Sequence, residues 1–174
     1  MTKKLNVLFL CTGNSARSIM AEAILRKDGA QNFRAFSAGS RPKGLVNPYA
    51  LKVLDSFGYP TGNLLSKSWE VYTAPDAQEM DFVLTVCDAA AGEACPLWPG
   101  QPITAHWGIE DPASVEGSDF ERERAFVTAF KYLRNRISLL TSLPIRSLSQ
   151  LAITAKLQDI GRVDGSTSRN LKVI

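Results

Sequence analysis

Five residues separate Cys11 from an Arg17-Ser18 pair, and that spacing is the most chemically loaded in the chain. A thiolate and a guanidinium sharing one short loop describe a site that binds a tetrahedral oxyanion and attacks its central atom. The backbone N–H groups of Thr12, Gly13, Asn14, Ser15 and Ala16 can turn inward as a nest, and a following helix adds its positive end. The same field lowers the pKa of Cys11 and makes it nucleophilic. Arg17 forks onto two oxygens of the bound ion, and Ser18 donates its hydroxyl to the thiolate. Gly13 and Asn14 tolerate the positive φ that a tight cradle demands. Two further cysteines, Cys87 and Cys95, follow a second apolar run. A sulfur that reaches Cys11 turns a hydrolytic site into a reducing one.

The elements around these residues must bring them together. Residues 5–10 read as a buried strand, 18–27 as a helix and 33–37 as a second strand. In the helix, Ile19, Met20, Ala23 and Ile24 form the inner stripe, with Glu22, Arg26 and Lys27 outside it. Pro48 opens a helix that Gly58 stops, and 67–80 is a short helix plus loop. Strands follow at 82–86 and 103–107, then a helix over 119–140 with Phe120, Ala125, Phe126, Ala129, Leu133 and Ile137 facing inward. Strands alternating with helices predict an α/β fold whose parallel sheet carries helices on both faces. In such sheets ligands sit at the carboxyl ends of the strands, near the switch in strand order. Cys11 and Cys87 each stand just past such an end, so parallel neighbouring strands would aim both sulfurs into one crevice.

With 174 residues, the chain suits one catalytic domain, assigned here to 1–143. Residues 144–174 form a C-terminal extension: an amphipathic helix carrying Leu148, Leu151, Ile153, Leu157 and Ile160, then a polar, loosely held stretch over 163–170. The net charge of +3 suits a small anion and is too weak to argue for nucleic acid. No apolar run is long enough to span a membrane, and no signal-peptide pattern precedes the first strand. Three cysteines do not make the framework of a secreted domain, which predicts a reducing cytoplasm. A zinc site is not expected, since His106 is the one histidine and a fourth ligand is missing. His106 reads as a packing or hydrogen-bonding ring, and Trp69, Trp98 and Trp107 as core or loop anchors, Trp98 with access to the site mouth. Arg122, Arg124, Lys131, Arg134 and Arg136 read as a solvated helix face.

The segment Val7–Ser18, with Ser37-Ala38-Gly39 and His106-Trp107-Gly108…Asp111-Pro112, resembles the low-molecular-weight protein tyrosine phosphatases and the arsenate reductases that share their fold. The resemblance covers about residues 5–140. It implies a four-stranded parallel sheet in a three-layer fold, Cys11 as nucleophile, Arg17 as oxyanion clamp, Asn14 and Ser18 as supports, and Asp111 as general acid. The stretch Cys87–Pro96 is similar to the redox segment of thioredoxin-coupled arsenate reductases. That likeness implies arsenate reduction in which Cys87 takes the disulfide from Cys11 and passes it to Cys95. An external thiol donor of the thioredoxin or glutaredoxin type then reduces it. No tightly bound cofactor or metal is implied, and monomer and dimer both stay open. The alternative function is hydrolysis of phosphotyrosine or small phosphoesters through a cysteinyl phosphate, and a third reading is an oxyanion-binding scaffold.

The chain departs from that pattern in three places. Ala16 replaces a further cysteine, and the Cys87–Cys95 gap is one residue longer. Lys67 falls near where some members place an aspartate beside a potassium ion. A lysine ammonium there stands in for the ion, with Asn14, Glu22 and Ser37 as its expected neighbours.

Overall fold

In a computed structural model describing residues 2–93 and 96–167, four parallel strands lie in the order β2-β1-β3-β4. They are β1 (Leu5–Cys11), β2 (Phe33–Gly39), β3 (Phe82–Thr85) and β4 (Ile103–His106). The helices are α1 (Arg17–Asp28), α2 (Pro48–Ser56), α3 (Asp88–Gly92), α4 (Asp119–Thr141) and α5 (Gln150–Gly161), with 3-10 turns at Trp69–Tyr72, Pro112–Ser114 and Ile145–Ser147. β1 is the hinge of this order. The chain leaves it toward β2 on one side and returns to β3 on the other, so the crevice between the carboxyl ends of β1 and β3 is the topological switch point. Cys11 closes β1, and Cys87 follows β3 by two residues.

β1 is apolar along its length because it is buried on both faces. Val7, Phe9 and Cys11 enter the larger core with α1, α2, α4 and α5. Leu8 and Leu10 enter a smaller one with Tyr72, Met80 and Val83, covered by Phe36, Trp69 and Trp98. Trp98 therefore packs edge-on against Trp69 and does not line the site mouth. Helix starts carry polar caps: Asn47 accepts from the Tyr49 N–H ahead of α2, and Ser118 with Glu121 forms a capping box on α4. Among the described residues, no helix is long and apolar enough to cross a membrane.

Three side chains lie where periodicity did not put them. Eight consecutive residues of α1, Ser18–Leu25, are buried, because the helix is wedged among β2, α2 and α4. Glu22, expected outside, is 3% exposed. Arg136, expected on a solvated face, is fully buried; its guanidinium donates to the carbonyls of Tyr132, Val163 and Asp164, which pins the segment after α5. Phe120 is 72% exposed, since the first turn of α4 projects beyond the core.

α5 is built into the larger core through Ile153, Leu157 and Ile160. Trp107 Nε1 donates to the Leu157 carbonyl at 2.9 Å. A Cβ on Gly161 would lie 2.2 Å from the His106 carbonyl oxygen, so the absent side chain lets α5 meet β4. Beyond it, Ser166 pairs with Ile109 as an antiparallel bridge, and Thr167 Oγ1 donates to Asp88 Oδ1 at 2.7 Å. Composition predicts a loose end over 163–170; through Thr167 the segment is tied by hydrogen bonds, and 168–170 fall outside the described residues.

Candidate active site

The loop from Cys11 to Ser18 closes around the open N-terminus of α1. No side chain caps that helix, so its first N–H groups are left for a ligand. Asn14 supplies the turn, with φ of 42°. Gly13 lies outside the left-handed region, contrary to expectation, so one residue rather than two carries the positive φ. Asn14 also ties the loop down. Its Nδ2 donates to Ser18 Oγ at 2.8 Å and Ser37 Oγ at 3.0 Å, and its Oδ1 accepts from the Lys67 N–H at 2.9 Å. Ser18 is thus a partner of Asn14. The hydrogen bonds found at Cys11 come from Cys87 and the Gly13 N–H instead.

A cavity of about 310 Å³ opens over this loop, lined by residues 11–17 with Arg41, Lys43, Cys87, Ala89, Asp111 and Ala113. Among the described residues, three cations and one carboxylate line it, and no aromatic ring does. Arg41 and Lys43 escaped the sequence reading. Their side chains reach the rim because the backbone N–H groups of 41 and 43 donate to the Thr12 and Gly13 carbonyls, a pairing that leaves no sequence signature. Arg17 Nη1 donates to the Ile109 carbonyl at 3.0 Å, and Nη2 lies 3.6 Å from Asp111 Oδ2. Asp111 Oδ1 caps the 3-10 turn at Pro112 by accepting the Ala113 N–H, which holds the carboxyl at the cavity wall.

Cys11 and Cys87 are buried and line the same cavity, close enough for each thiol to act on the ionisation of the other. Two thiols in contact in one enclosed site share a single proton when the first of them ionises. The bond from Cys11 pushes Cys87 down to about 5, against its burial, with help from the Ala90 and Thr12 N–H groups at 3.3 and 3.4 Å. The same bond and burial hold Cys11 above the usual thiol range, although Arg17 and the Gly13 N–H oppose this. Cys87 also caps α3, its sulfur accepting from the Ala90 N–H, so each thiol feels the charge of the other and the two titrate as a pair. Cys95 lies outside the described residues. His106 bridges Thr85 Oγ1 and Asp88 Oδ1, each at 2.7 Å, in the bonding role expected of it.

Behind the loop lies a buried polar cluster. Ser37 Oγ donates to Glu22 Oε2 at 2.6 Å, and Arg26 Nη2 to Glu22 Oε1 at 2.6 Å. Lys67 Nζ donates to the Ser37 and Leu65 carbonyls at 2.9 and 2.8 Å. Burial raises the Glu22 pKa, and Ser37, Lys67 and Arg26 work against it. Burial lowers that of Lys67, and Glu22 offsets this. The ammonium contacts the Ser37 carbonyl beside the expected Asn14, Glu22 and Ser37, the placement that standing in for a bound cation requires. Activity and melting temperature are therefore expected to be unchanged when potassium replaces an inert cation at constant ionic strength. A clear rise in either rules out the substitution.

The model of the low molecular weight phosphotyrosine protein phosphatase family matches residues 6–138. An arsenate reductase of Bacillus cereus (strain AH187) is 39% identical over 124 residues, 71% of this chain and 89% of that protein. Among solved structures, an arsenate reductase in the phosphate binding state superposes with a TM-score of 0.65 at 28% identity, covering 79% of this chain and 97% of the other. A low molecular weight phosphotyrosine phosphatase of Vibrio cholerae O395 gives 0.60 at 25% identity, covering 75% and 90%.

Proposed function

The chain belongs to the low molecular weight phosphotyrosine protein phosphatase family, and from that premise we propose that it reduces arsenate to arsenite through its cysteines. The observation that carries this reading is the contact between Cys11 and Cys87 inside a cationic cavity with no aromatic wall. A phosphotyrosine ring needs an apolar slot beside the phosphate, whereas an inorganic tetrahedral ion needs only the cradle. The relatives named arsenate reductase favour the same substrate. In the first step Cys11 attacks arsenic while its proton passes to the Cys87 thiolate already bonded to it. Arg17 and the loop N–H groups hold the oxyanion, and Asp111 protonates the oxygen that leaves as water. Cys87 next attacks the Cys11 sulfur, arsenite departs with two more electrons on arsenic, and a Cys11–Cys87 disulfide remains. Cys95 takes over that disulfide, and an external dithiol of the thioredoxin or glutaredoxin class supplies the two electrons that reset the enzyme.

The test compares arsenite formation, driven by a thioredoxin or glutaredoxin system, with hydrolysis of an aryl phosphate. Turnover of arsenate well above phosphoester cleavage is expected. Cys95→Ser is expected to release close to one equivalent of arsenite and then stop. Rapid phosphoester hydrolysis with no arsenite would make the chain a phosphatase. Sustained arsenate turnover by Cys95→Ser would remove Cys95 from the relay.

A further inference from the structure

The reaction just proposed leaves one proton unplaced. Cys87 receives it from Cys11 in the first step and must lose it to become the attacking thiolate in the second. The site's geometry offers it a route. Thr12 Oγ1 stands between two groups, 3.1 Å from Glu93 Oε1 and 3.7 Å from Cys87 Sγ. A hydroxyl has one hydrogen. A carboxylate only accepts, so that hydrogen points to Glu93, and Oγ1 turns its lone pairs toward the Cys87 thiol. Glu93 follows the last turn of α3. Its other oxygen, Oε2, is buried and has no hydrogen-bond partner among the described residues, which leaves it free to accept a hydrogen.

Resting on the arsenate-reducing reading, we propose that Glu93 is a positioning residue for proton transfer in the disulfide-forming step. Its carboxylate draws the Cys87 proton through the Thr12 hydroxyl. The S–H bond of Cys87 breaks, Thr12 gains that proton and gives its own to Glu93, and the Cys87–Cys11 bond forms. The Cys11–arsenic bond breaks with its electron pair left on arsenic, so two sulfurs are oxidised and arsenic is reduced. Glu93 ends protonated and returns its proton to solvent. The other charged groups around this path are Arg17 from α1, Arg41 and Lys43 from the loop after β2, Asp88 at the start of α3, and Asp111. None of them lies between Cys87 and Glu93 in the chain of contacts.

The test is a single turnover of the full chain with arsenate and no external reductant, quenched across mildly acidic to alkaline pH. Arsenite and the Cys11–Cys87 disulfide are counted after thiol alkylation. Glu93→Gln keeps the shape and removes the base. It is expected to slow both products about 10²-fold near neutral pH and to recover toward the parent rate as hydroxide becomes available. Binding of arsenate is expected to be unchanged. A Glu93→Gln rate equal to the parent at every pH overturns the proposal, and so does a loss that does not depend on pH, which marks a merely structural residue. Absence of arsenite from the unsubstituted chain would remove the reductase reading and this inference together; arsenite from the parent and equal arsenite from Glu93→Gln removes this inference alone.

Discussion

Cys87→Ser is expected to bring arsenate turnover down to the reagent blank, with no single equivalent of arsenite released, while aryl phosphate hydrolysis persists. A serine oxygen cannot close a disulfide, so the arsenic adduct on Cys11 has no reductive exit. The substitution also acts on Cys11 itself. The bond to Cys87 is the largest cause of the raised Cys11 pKa. With serine in its place that largest raising contribution is lost, and the pKa falls, although burial still holds it up against Arg17 and the Gly13 N–H. The sign follows directly: the nucleophile reacts deprotonated, so the acid limb of the hydrolysis profile moves to lower pH. A thiol titration of Cys11 followed by alkylation rate checks the same displacement without turnover. Arsenite release by Cys87→Ser, or an acid limb displaced toward alkaline pH, would sever the two sulfurs functionally.

This dependence explains why one family can host both hydrolysis and reduction. The cradle, arginine and acid serve any tetrahedral ion. What differs here is the wall. Ala89 and Ala113 leave room for an inorganic ion, and Cys87 fills the side of the cavity next to the nucleophile. In the proposed reaction the partner sulfur is base in one step and nucleophile in the next, and β1 and β3 place it there as hydrogen-bonded neighbours, with Leu10 opposite Thr85.

The strands, their parallel order and the Cys11–Arg17 loop were legible in the sequence because each has a local signal. Runs buried on both faces are apolar throughout, and a cysteine, a turn and an arginine at loop spacing have few other uses. Where local signals stop, so does the reading. Glu22 and Arg136 look solvated on a helical wheel, yet each is buried because its partners come from distant segments: Ser37 for Glu22, and the carbonyls of Val163 and Asp164 for Arg136. Thr12 and Glu93, half-buried and 81 residues apart, are likewise paired only by the fold. Burying a polar group without such partners costs about 1–3 kcal/mol, so these residue types in a buried position imply long-range pairing that periodicity cannot supply.

Gly39 is the sharpest instance of a residue whose role only the third dimension gives. At the end of β2 it faces the nucleophile loop, and a Cβ there would lie 2.4 Å from the Thr12 carbonyl oxygen, 2.8 Å from that of Cys11 and 3.0 Å from Asn14 Cβ. Two of these neighbours are backbone atoms of the cradle itself, so relief requires the loop to move. Its φ is not in the left-handed region, and the effect of a side chain is steric alone. Gly39→Ala is expected to destabilise the fold by about 1–3 kcal/mol, read as a melting point lower by about 2–4 °C per kcal/mol for a chain of this size. Activity should fall further than stability implies. Displacing the loop N–H groups by a fraction of an ångström misaligns the oxyanion against Cys11, and an error near 1 Å costs about 10²-fold in rate. Both arsenate turnover and phosphoester hydrolysis are expected to drop together, unlike the split expected of Cys87→Ser. Gly62→Ala serves as the comparison, since a Cβ there meets nothing within 4 Å and both stability and rate should hold. Equal behaviour of the two alanine variants would mean that the β2 end and the cradle are not in the close contact on which the geometry of the site depends.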